Sequence, residues 1–574
     1  MEQKSSTSRA NDGHSFVRQM AAALRDSDPQ VSLRRLNICR DILEGIFPES
    51  LSYDTIERIV GADEDERHYI VGALYALLMP PKRRRRLSAY FTPPAISNHV
   101  VRQLIEFGFN PFSHSVIDPA CGGAAFLVPF AKHMDKLTKD SIGLQTSEGI
   151  LKRIVGVEIE PGLASLSETL IADTLNVDRL TVSGQVVRRG NALRLGMAKA
   201  RSFDAVVSNP PYGRVFRAKA ETVERWSDVI SDGHVNTYAL FVALSIKIAK
   251  PGGLIALIIP TSFIGGPYFS NLRMFIRREA DVLRIELIQR RSEAFLDVIQ
   301  DACILYMRRK IQRDAIDLGP PQVFELEIGG AIRLQGAAQF SPELKGVWAL
   351  PNPGFDEPSA PAFYFDSRLS NLEEYGYLVR TGFFVWNRNG EKLTGRTKPE
   401  PGEVPLIWAK NIKANEYVRM GERNASPHGA LSFVRIDPES SAIIRTPSLV
   451  VQRTTNRRQT RRLIVGEVEE SVAKKYGGYV TENHTIVITK KAGISTDVPL
   501  SMLMQLLNSD PVDKMYRQIS GTVSVSTKLL RQLPLPKPAH LLKSLSIEGD
   551  LDKAVLEAYA LTLDTKTQVR GGLS

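Results

Sequence analysis

The residues with the clearest chemical potential form one short segment, Ser208-Asn209-Pro210-Pro211-Tyr212-Gly213, directly after the apolar run of residues 203–207. An exocyclic amine such as N6 of adenine is a poor nucleophile, because its lone pair is delocalised into the ring. A site that methylates it must accept hydrogen bonds from both N–H groups and turn the lone pair towards the methyl donor. The side-chain oxygen of Asn209 and the backbone carbonyl of Pro210 can supply these two acceptors. Pro210 and Pro211 stiffen the loop that presents them.

The aromatic ring of Tyr212 adds a second capability to this loop. A base that has been turned out of a duplex can stack on such a ring. The alternative interpretation is a proline turn that ends a strand, with asparagine as an ordinary turn residue. The upstream motifs therefore decide between the two interpretations.

Residues 115–126 have the pattern of a strand, a tight glycine turn and a helix start. Small residues such as Ala120 and Gly122 let the backbone after Asp118 pass close to a ligand, and a helix N-terminus favours a carboxylate such as that of methionine. The full G-x-G-x-x-G pattern of a dinucleotide site is missing. A glycine turn without a ligand is the alternative.

Two further strand ends carry polar side chains that suit a nucleoside. Glu158 ends the run 154–157 and could accept hydrogen bonds from the hydroxyls of a ribose, although a surface acid is the alternative. Asn191 follows Gly190, where a third strand should end, and its amide could pair with an adenine edge. Each of these signals is weak alone, but their order and spacing suit one ligand that carries a carboxylate, a ribose and an adenine.

The elements that must position these residues alternate between strands and helices from about residue 88 to 315. Residues 237–249 are a helix candidate that stops at Gly252-Gly253. This alternation predicts a Rossmann-like, doubly wound α/β domain with a parallel sheet, whose ligands bind at the carboxyl ends of the strands. The expected strands are 115–117, 154–157, 205–207, 254–259, 282–287 and 302–306.

The remaining chain falls into three parts. Residues 1–84 are predicted to be a helical segment, in which the basic run 82–86 is interpreted as a solvated hinge or, alternatively, as a phosphate contact. Residues 85–315 form the α/β domain and proline-rich residues 316–345 a linker. Residues 346–574 are predicted to form a mixed α+β domain, with strands at 449–452 and 485–489 and a helix at 500–507.

Composition limits the class of protein. Apolar residues make up 43% and charged residues 24% of the chain, as in folded globular proteins. A net charge of +11 and a pI of about 9.4 suggest a polyanionic partner, or else a scattered basic surface. With no apolar run of about 20 residues and a polar N-terminus, we expect a cytoplasmic protein without a membrane span. Cys39, Cys121 and Cys303 predict neither a disulfide framework nor a metal site.

Across about residues 88–310 the sequence resembles the N6-adenine DNA methyltransferases of restriction–modification systems. The segment Tyr90-Phe91-Thr92-Pro93-Pro94 matches the opening motif of that family, Asp118 its glycine-turn motif, Glu158 its ribose acid and residues 209–212 its catalytic loop. The resemblance implies that Thr92 helps to hold S-adenosylmethionine and that an adenine is flipped out of double-stranded DNA. Asn191 departs from the family, which usually has an acid there. The aromatic that the family places on the other face of the flipped base is assigned to Phe295.

Residues 346–574 resemble, more loosely, the target-recognition domains of the same systems. Arginine can read guanine or bind phosphate, so an arginine-rich stretch interleaved with Thr, Asn and Gln is typical of DNA readout, although a solvated surface is the alternative. The arginines of this stretch are Arg453, Arg457, Arg458, Arg461 and Arg462.

Other functions remain open at this point. A similar N-P-P-Y loop can present an amide or guanine nitrogen in protein-glutamine or RNA methyltransferases, and N4-cytosine methylation is chemically close. A DNA-binding subunit that merely keeps the fold is the non-enzymatic alternative. C5-cytosine methylation would need a Pro-Cys loop, whereas Cys121 lies in the cofactor turn. Since no nuclease motif is evident, the enzyme either acts alone or has a separate restriction endonuclease as its partner.

Overall fold

The computed structural model describes residues 3–87, 92–140, 146–195, 201–215, 219–231, 235–288, 301–311, 319–327, 330–351, 364–388, 390–394, 399–418, 433–454, 461–520 and 524–563. The chain divides into two compact units. The first comprises Met1–Phe263, Tyr268–Ala338 and Glu343–Gly346, and the second comprises Ile264–Pro267, Gln339–Pro342 and Val347–Ser574. Within the described residues, no helix combines the length and the apolar composition that a bilayer span requires.

The strands of the first unit include every strand that the sequence predicts there. In chain order they are β1 (Val116–Asp118), β2 (Ile154–Glu158), β3 (Val187–Arg189), β4 (Phe203–Ser208), β5 (Arg214–Val215), β6 (Val235–Asn236), β7 (Ala249–Pro260), β8 (Ala280–Ile288), β9 (Ala302–Arg309), β10 (Gln322–Leu326) and β11 (Ile332–Ala337). All except β5 and β6, which pair with each other, form one sheet in the order β11-β10-β8-β9-β7-β4-β1-β2-β3.

This sheet is mixed rather than wholly parallel. The half that contains β3, β2, β1, β4 and β7 is parallel. The central strands β1, β2 and β4 are almost completely buried, because helices cover both faces of such a sheet, whereas two of the three residues of the edge strand β3 are exposed. Beyond β7 the direction changes, since β9 pairs antiparallel with both β7 and β8. The α/β class is therefore confirmed, whereas the expectation of a parallel sheet fails for β9, which runs opposite to the predicted strands on either side of it.

The helices of the first unit flank this sheet. They are α1 (Gln3–Ser27), α2 (Val31–Leu43), α3 (Tyr53–Val60), α4 (Glu64–Leu78), α5 (Pro81–Leu87), α6 (Pro94–Glu106), α7 (Leu127–Asp140), α8 (Ser147–Leu151), α9 (Pro161–Leu175), α10 (Arg179–Val182), α11 (Ala192–Leu195), α12 (Ala220–Arg225), α13 (Thr237–Ile248) and α14 (Ser270–Glu279). The predicted helical character of the N-terminal part is confirmed, and α13 ends at Ile248, one residue before β7 begins.

Three expected boundaries differ from the structure. The boundary near residue 84 lies inside the first unit, because α2 and α4 pack against α9 and share one core with it. The basic run that was interpreted as a hinge lies in α5. The expected linker at 316–345 contributes β10 and β11 to the large sheet, where β10 pairs with β8.

The second unit is mixed α+β, as predicted. Its strands are β12 (Gln339–Phe340), β13 (Trp348–Ala349), β14 (Tyr377–Thr381), β15 (Leu393–Thr394), β16 (Glu403–Ile407), β17 (Phe433–Arg435), β18 (Ser448–Gln452), β19 (Val465–Val468), β20 (Val480–Thr481) and β21 (Thr485–Lys490). They form a β12-β13 pair and two four-stranded sheets, β14-β21-β18-β19 and β15-β17-β16-β20. Its helices are Glu470–Tyr476, Leu500–Leu507, Asp510–Ile519, Thr527–Arg531, Pro538–Leu545 and Leu551–Thr562.

Candidate active site

A cleft opens at the carboxyl ends of β1, β2 and β4 in the first unit. Its empty volume, including the part open to solvent, is about 1150 Å³. The structure brings together at this cleft all the residues that the sequence assigns to a cofactor and part of the Asn-Pro-Pro-Tyr loop. Those that line it are Thr92, Asp118, Ala120, Gly122, Glu158, Asn191, Asn209 and Pro211.

Asp118 is buried at the end of β1 and fixes the start of the Asn-Pro-Pro-Tyr loop. Its Oδ1 accepts hydrogen bonds from the Ala120 N–H at 2.9 Å and from the Ser208 hydroxyl at 2.8 Å. Burial raises the pKa of Asp118 to about 7, the two hydrogen bonds oppose this rise, and nearby Glu158 adds to it. Asp118 therefore ties the end of β1 to the end of β4, after which Asn209 follows directly.

Glu158 occupies the equivalent place at the end of β2. Its Oε1 accepts the Glu160 N–H at 2.7 Å and its Oε2 accepts the Gly122 N–H at 3.0 Å. The side chain is buried, which raises the pKa of Glu158, while the backbone hydrogen bonds act in the opposite direction. A carboxylate has further lone pairs, so this fixed group can also accept hydrogen bonds from a ligand in the cleft.

The glycine turn after β1 is longer than the sequence suggests. Gly122 and Ala124 have positive φ values of 55° and 59°, and α7 begins only at Leu127. The expected helix start directly after the turn is thus incorrect, because the left-handed backbone at Ala124 interrupts it. Gly156 on β2 lies beside this turn, where a Cβ atom would approach the Cys121 Sγ to 2.8 Å.

Asn191 follows β3, as predicted, and is exposed at the edge of the cleft. Its side-chain oxygen accepts a hydrogen bond from the Leu193 N–H at 3.0 Å. This contact holds the short helix α11 in place. The structure therefore gives Asn191 a local structural contact next to the cleft.

The side chain of Asn209 is held from two sides. Its Nδ2 donates to the Thr92 Oγ1 at 3.2 Å, and its Oδ1 accepts from the Tyr212 hydroxyl at 2.6 Å. The same hydroxyl lies 2.9 Å from the carbonyl oxygen of Ile258. A phenol has a single proton, so Tyr212 can donate fully to only one of these acceptors at a time. The arrangement fixes the amide plane of Asn209 at the cleft.

The ring of Tyr212 is half-buried and makes an edge-to-face contact with Tyr238, with ring centroids 6.4 Å apart. Tyr238 in turn stacks on Phe269. These buried aromatic rings give the loop a firm support. Phe295, assigned to the opposite face of a base, lies outside the described residues, as do Tyr90 and Phe91.

The arginine-rich stretch belongs to the second unit. Arg453, Arg461 and Arg462 are half-buried, whereas Arg457 and Arg458 lie outside the described residues. The Arg453 Nη1 donates to the Asn483 carbonyl at 3.0 Å. Arg453 thus helps to hold the turn between β20 and β21, and DNA contact by this stretch stays a prediction.

Glu160, beside the cleft, was given no role by the sequence argument. Glu160 is buried and its N–H donates to Glu158. Its own carboxylate begins α9 by accepting the Leu163 N–H at 2.7 Å. The signal for this role was available, because an acid followed by proline is typical of the first positions of a helix.

Residues 67–312 match the family model described as N-6 DNA Methylase. This match covers the cleft, the glycine turn and the Asn-Pro-Pro-Tyr loop. The chain is an adenine DNA methyltransferase. The methyltransferase is 26% identical to the Type II methyltransferase M.BsuBI of Bacillus subtilis over 473 residues. These aligned residues cover 79% of this chain and 88% of the relative.

Other relatives and solved structures are similar over parts of the chain. The Type II methyltransferase M.PstI of Providencia stuartii is 25% identical over 354 residues, which are 59% of this chain and 66% of the relative. The solved Type IIL restriction-modification enzyme MmeI in complex with DNA is 14% identical and has a TM-score of 0.48, with 92% of this chain and 83% of that one covered.

Proposed function

We propose that the methyltransferase uses S-adenosylmethionine to methylate N6 of an adenine turned out of double-stranded DNA at a specific sequence. The observation that carries this proposal is the position of Asn209. Its amide is held by Thr92 and Tyr212 in the cleft that also contains Asp118 and Glu158. The modification of DNA adenine in a restriction–modification system is the function that its family supports.

The cleft suits S-adenosylmethionine in its donor set. The carboxylate of Glu158 is fixed by two backbone N–H groups and can accept hydrogen bonds from ribose hydroxyls. The turn around Gly122 allows a ligand to approach the backbone, and Asn191 can meet an adenine edge. When bound, the cofactor supplies an electrophilic methyl group.

Asn209 and Pro210 prepare the target amine. The Asn209 Oδ1 accepts a hydrogen bond from one N–H of the amine and the Pro210 carbonyl accepts one from the other, which directs the nitrogen lone pair towards the cofactor side of the cleft. For this, Tyr212 must give up its hydrogen bond to Asn209. Its hydroxyl then donates to the Ile258 carbonyl alone, so no buried donor is left without a partner.

Sequence choice is assigned to the second unit. Arg453, Arg461 and Arg462, together with Arg457 and Arg458, are proposed to contact base edges and phosphates, because guanidinium groups suit both. A restriction endonuclease encoded separately is proposed as a partner in the cell.

Replacing Tyr212 separates its two roles. The Tyr212→Phe variant keeps the ring for stacking and leaves the Asn209 Oδ1 free, so we expect kcat within about threefold of the parent. The Tyr212→Ala variant loses base stacking worth about 1–3 kcal/mol, which should raise the apparent KM for DNA by about tenfold or more. Steady-state kinetics on a cognate duplex measure both values. If Tyr212→Phe is as impaired as Tyr212→Ala, the hydroxyl rather than the ring is essential and the stacking role is wrong.

Modified-base sequencing tests the proposed function in cells. Genomic DNA from cells that express the methyltransferase should carry N6-methyladenine at one defined sequence motif, and DNA from cells that express Asn209→Ala should not. Methylation at unrelated adenines would contradict site specificity. Unmodified DNA despite folded protein would contradict the proposal as a whole.

A further inference from the structure

Glu160 is the centre of a buried ionic network next to the cofactor cleft. Its Oε1 accepts from the Arg35 Nη2 at 2.9 Å and from the Arg83 Nη2 at 3.0 Å. Its Oε2 accepts from the Tyr75 hydroxyl at 2.9 Å and from the Leu163 N–H. The Glu160 side chain is only 2% exposed, so its charge is balanced by these partners rather than by water.

The three side-chain donors to Glu160 come from the N-terminal helices, to which the sequence gave no chemical role. Arg35 lies on α2, Tyr75 on α4 and Arg83 on α5. The Arg35 guanidinium also stacks over the Tyr75 ring at 4.9 Å. These helices therefore deliver two positive charges and one hydroxyl to a single carboxylate.

The start of α9 is shaped to receive this network. A Cβ atom at Gly162 would lie 1.9 Å from the Tyr75 hydroxyl oxygen, so only glycine leaves room for it. Further along α9, the Arg40 guanidinium donates to the Ser165 and Thr169 hydroxyls at 2.9 and 3.3 Å, and the His68 Nε2 lies 2.7 Å from the half-exposed Asp173 carboxylate. The network around Glu160 lies at the end of α9 nearest the cleft, where Leu163 is part of the cleft lining.

The backbone of Glu160 connects the network to the cleft. Its N–H donates to the Glu158 Oε1 at 2.7 Å, and the other oxygen of Glu158 is held by Gly122. A change in the backbone torsions of Glu160 would therefore turn this N–H, and the Glu158 carboxylate that it holds would move with it.

We propose that Glu160 is a positioning residue, through which Arg35, Tyr75 and Arg83 hold Glu158 in the orientation that binds the cofactor ribose. The N-terminal helices thereby contribute to cofactor binding, because they supply the side chains that hold Glu160. This inference rests on the proposed use of S-adenosylmethionine. It also explains why the first of the arginines in the basic run faces the protein, since Arg83 pairs with Glu160.

Calorimetric titration of the full chain with S-adenosylmethionine tests the inference without any methyl transfer. We expect Glu160→Gln to weaken binding by about tenfold, in the range of couplings carried by packed polar networks. The Arg35→Met variant should weaken binding similarly, and Arg35→Lys should restore part of the affinity. If Glu160→Gln folds poorly, the half-exposed Arg83→Met serves instead, with an expected loss of about threefold.

Asp173→Asn is the matched control, because it also breaks a contact between the N-terminal helices and α9 but does not touch Glu158. It should lower the unfolding temperature slightly and leave the affinity unchanged. In a Glu158→Ala background, Glu160→Gln should have less than about a twofold effect, since the group that it positions is gone. Equal effects in both backgrounds, or unchanged affinity of Glu160→Gln, would overturn the inference. A parent protein that does not bind S-adenosylmethionine would instead overturn the proposed function.

Discussion

Asn209→Ala should lower the single-turnover rate of methyl transfer by about 10²- to 10³-fold or more, the usual cost of removing one preorganised hydrogen-bonding group at a reaction centre. The variant loses the acceptor for one proton of the target amine, so the lone pair is no longer directed towards the methyl donor. Transfer of a labelled methyl group to a cognate duplex measures this rate.

The affinity of Asn209→Ala for S-adenosylmethionine should stay within about twofold of the parent, because Asn209 contacts Thr92 and Tyr212 rather than the groups assigned to the ribose. The control is Asn110→Ala, which removes an exposed turn contact to the Phe112 N–H and should leave the rate unchanged. A rate for Asn209→Ala within tenfold of the parent, about 1.4 kcal/mol, would contradict the assigned role.

Glu158→Ala should weaken S-adenosylmethionine binding by about a hundredfold. Two charge-assisted hydrogen bonds to the ribose would be lost, each worth on the order of 1.5–3 kcal/mol before compensation. The variant also removes the acceptor for the Gly122 and Glu160 N–H groups, which loosens the turn. Calorimetry measures the affinity, and the exposed Glu148→Ala is the control.

The pH dependence of cofactor affinity gives a second test of Glu158. Because burial raises the pKa of Glu158, its ionised form is lost at a higher pH than in an exposed glutamate. Affinity of the parent should therefore weaken on acidification before exposed carboxylates titrate. In Glu158→Ala the part of this change that Glu158 contributes should be lost, while the part due to Asp118, whose pKa is also raised, should remain. Unchanged affinity of Glu158→Ala at neutral pH would show that the cofactor is held elsewhere.

Local patterns predicted the part of the fold that carries the chemistry. The strands that end at Asp118, Glu158 and Ser208 are short apolar runs, and their shortness together with the turn residues that follow them indicates buried strands rather than helices. Once these strands pair, their carboxyl ends meet at one edge. The cofactor residues and Asn209 therefore meet at one cleft, as the sequence suggested.

Features that depend on pairing over long distances could not be read in the same way. The residue pattern of β9 would be the same whether it paired parallel or antiparallel. Nothing local therefore reveals that β9 is antiparallel to its neighbours. Likewise, β10 and β11 lie in a proline-rich stretch, and only their pairing with β8 and with each other makes them part of the sheet.

The network around Glu160 shows the same limit for the site. Arg35 and Glu160 are 125 positions apart, and no periodicity connects a helix of the N-terminal segment with the start of α9. The prediction of a solvated basic run also failed to anticipate that Arg83 faces a buried carboxylate. A run of charged residues is exposed on average, but a single buried acid is enough to bind one of its side chains, as Glu160 binds Arg83.

The central claim is that the methyltransferase modifies N6 of adenine in DNA and that Asn209 directs this reaction. The most direct measurement is mass spectrometry of nucleosides from duplex DNA incubated with the purified protein and methyl-labelled S-adenosylmethionine. The label should appear in N6-methyladenine with the parent protein and be absent with Asn209→Ala. Label in N4-methylcytosine or 5-methylcytosine, or equal label with both proteins, would contradict the claim.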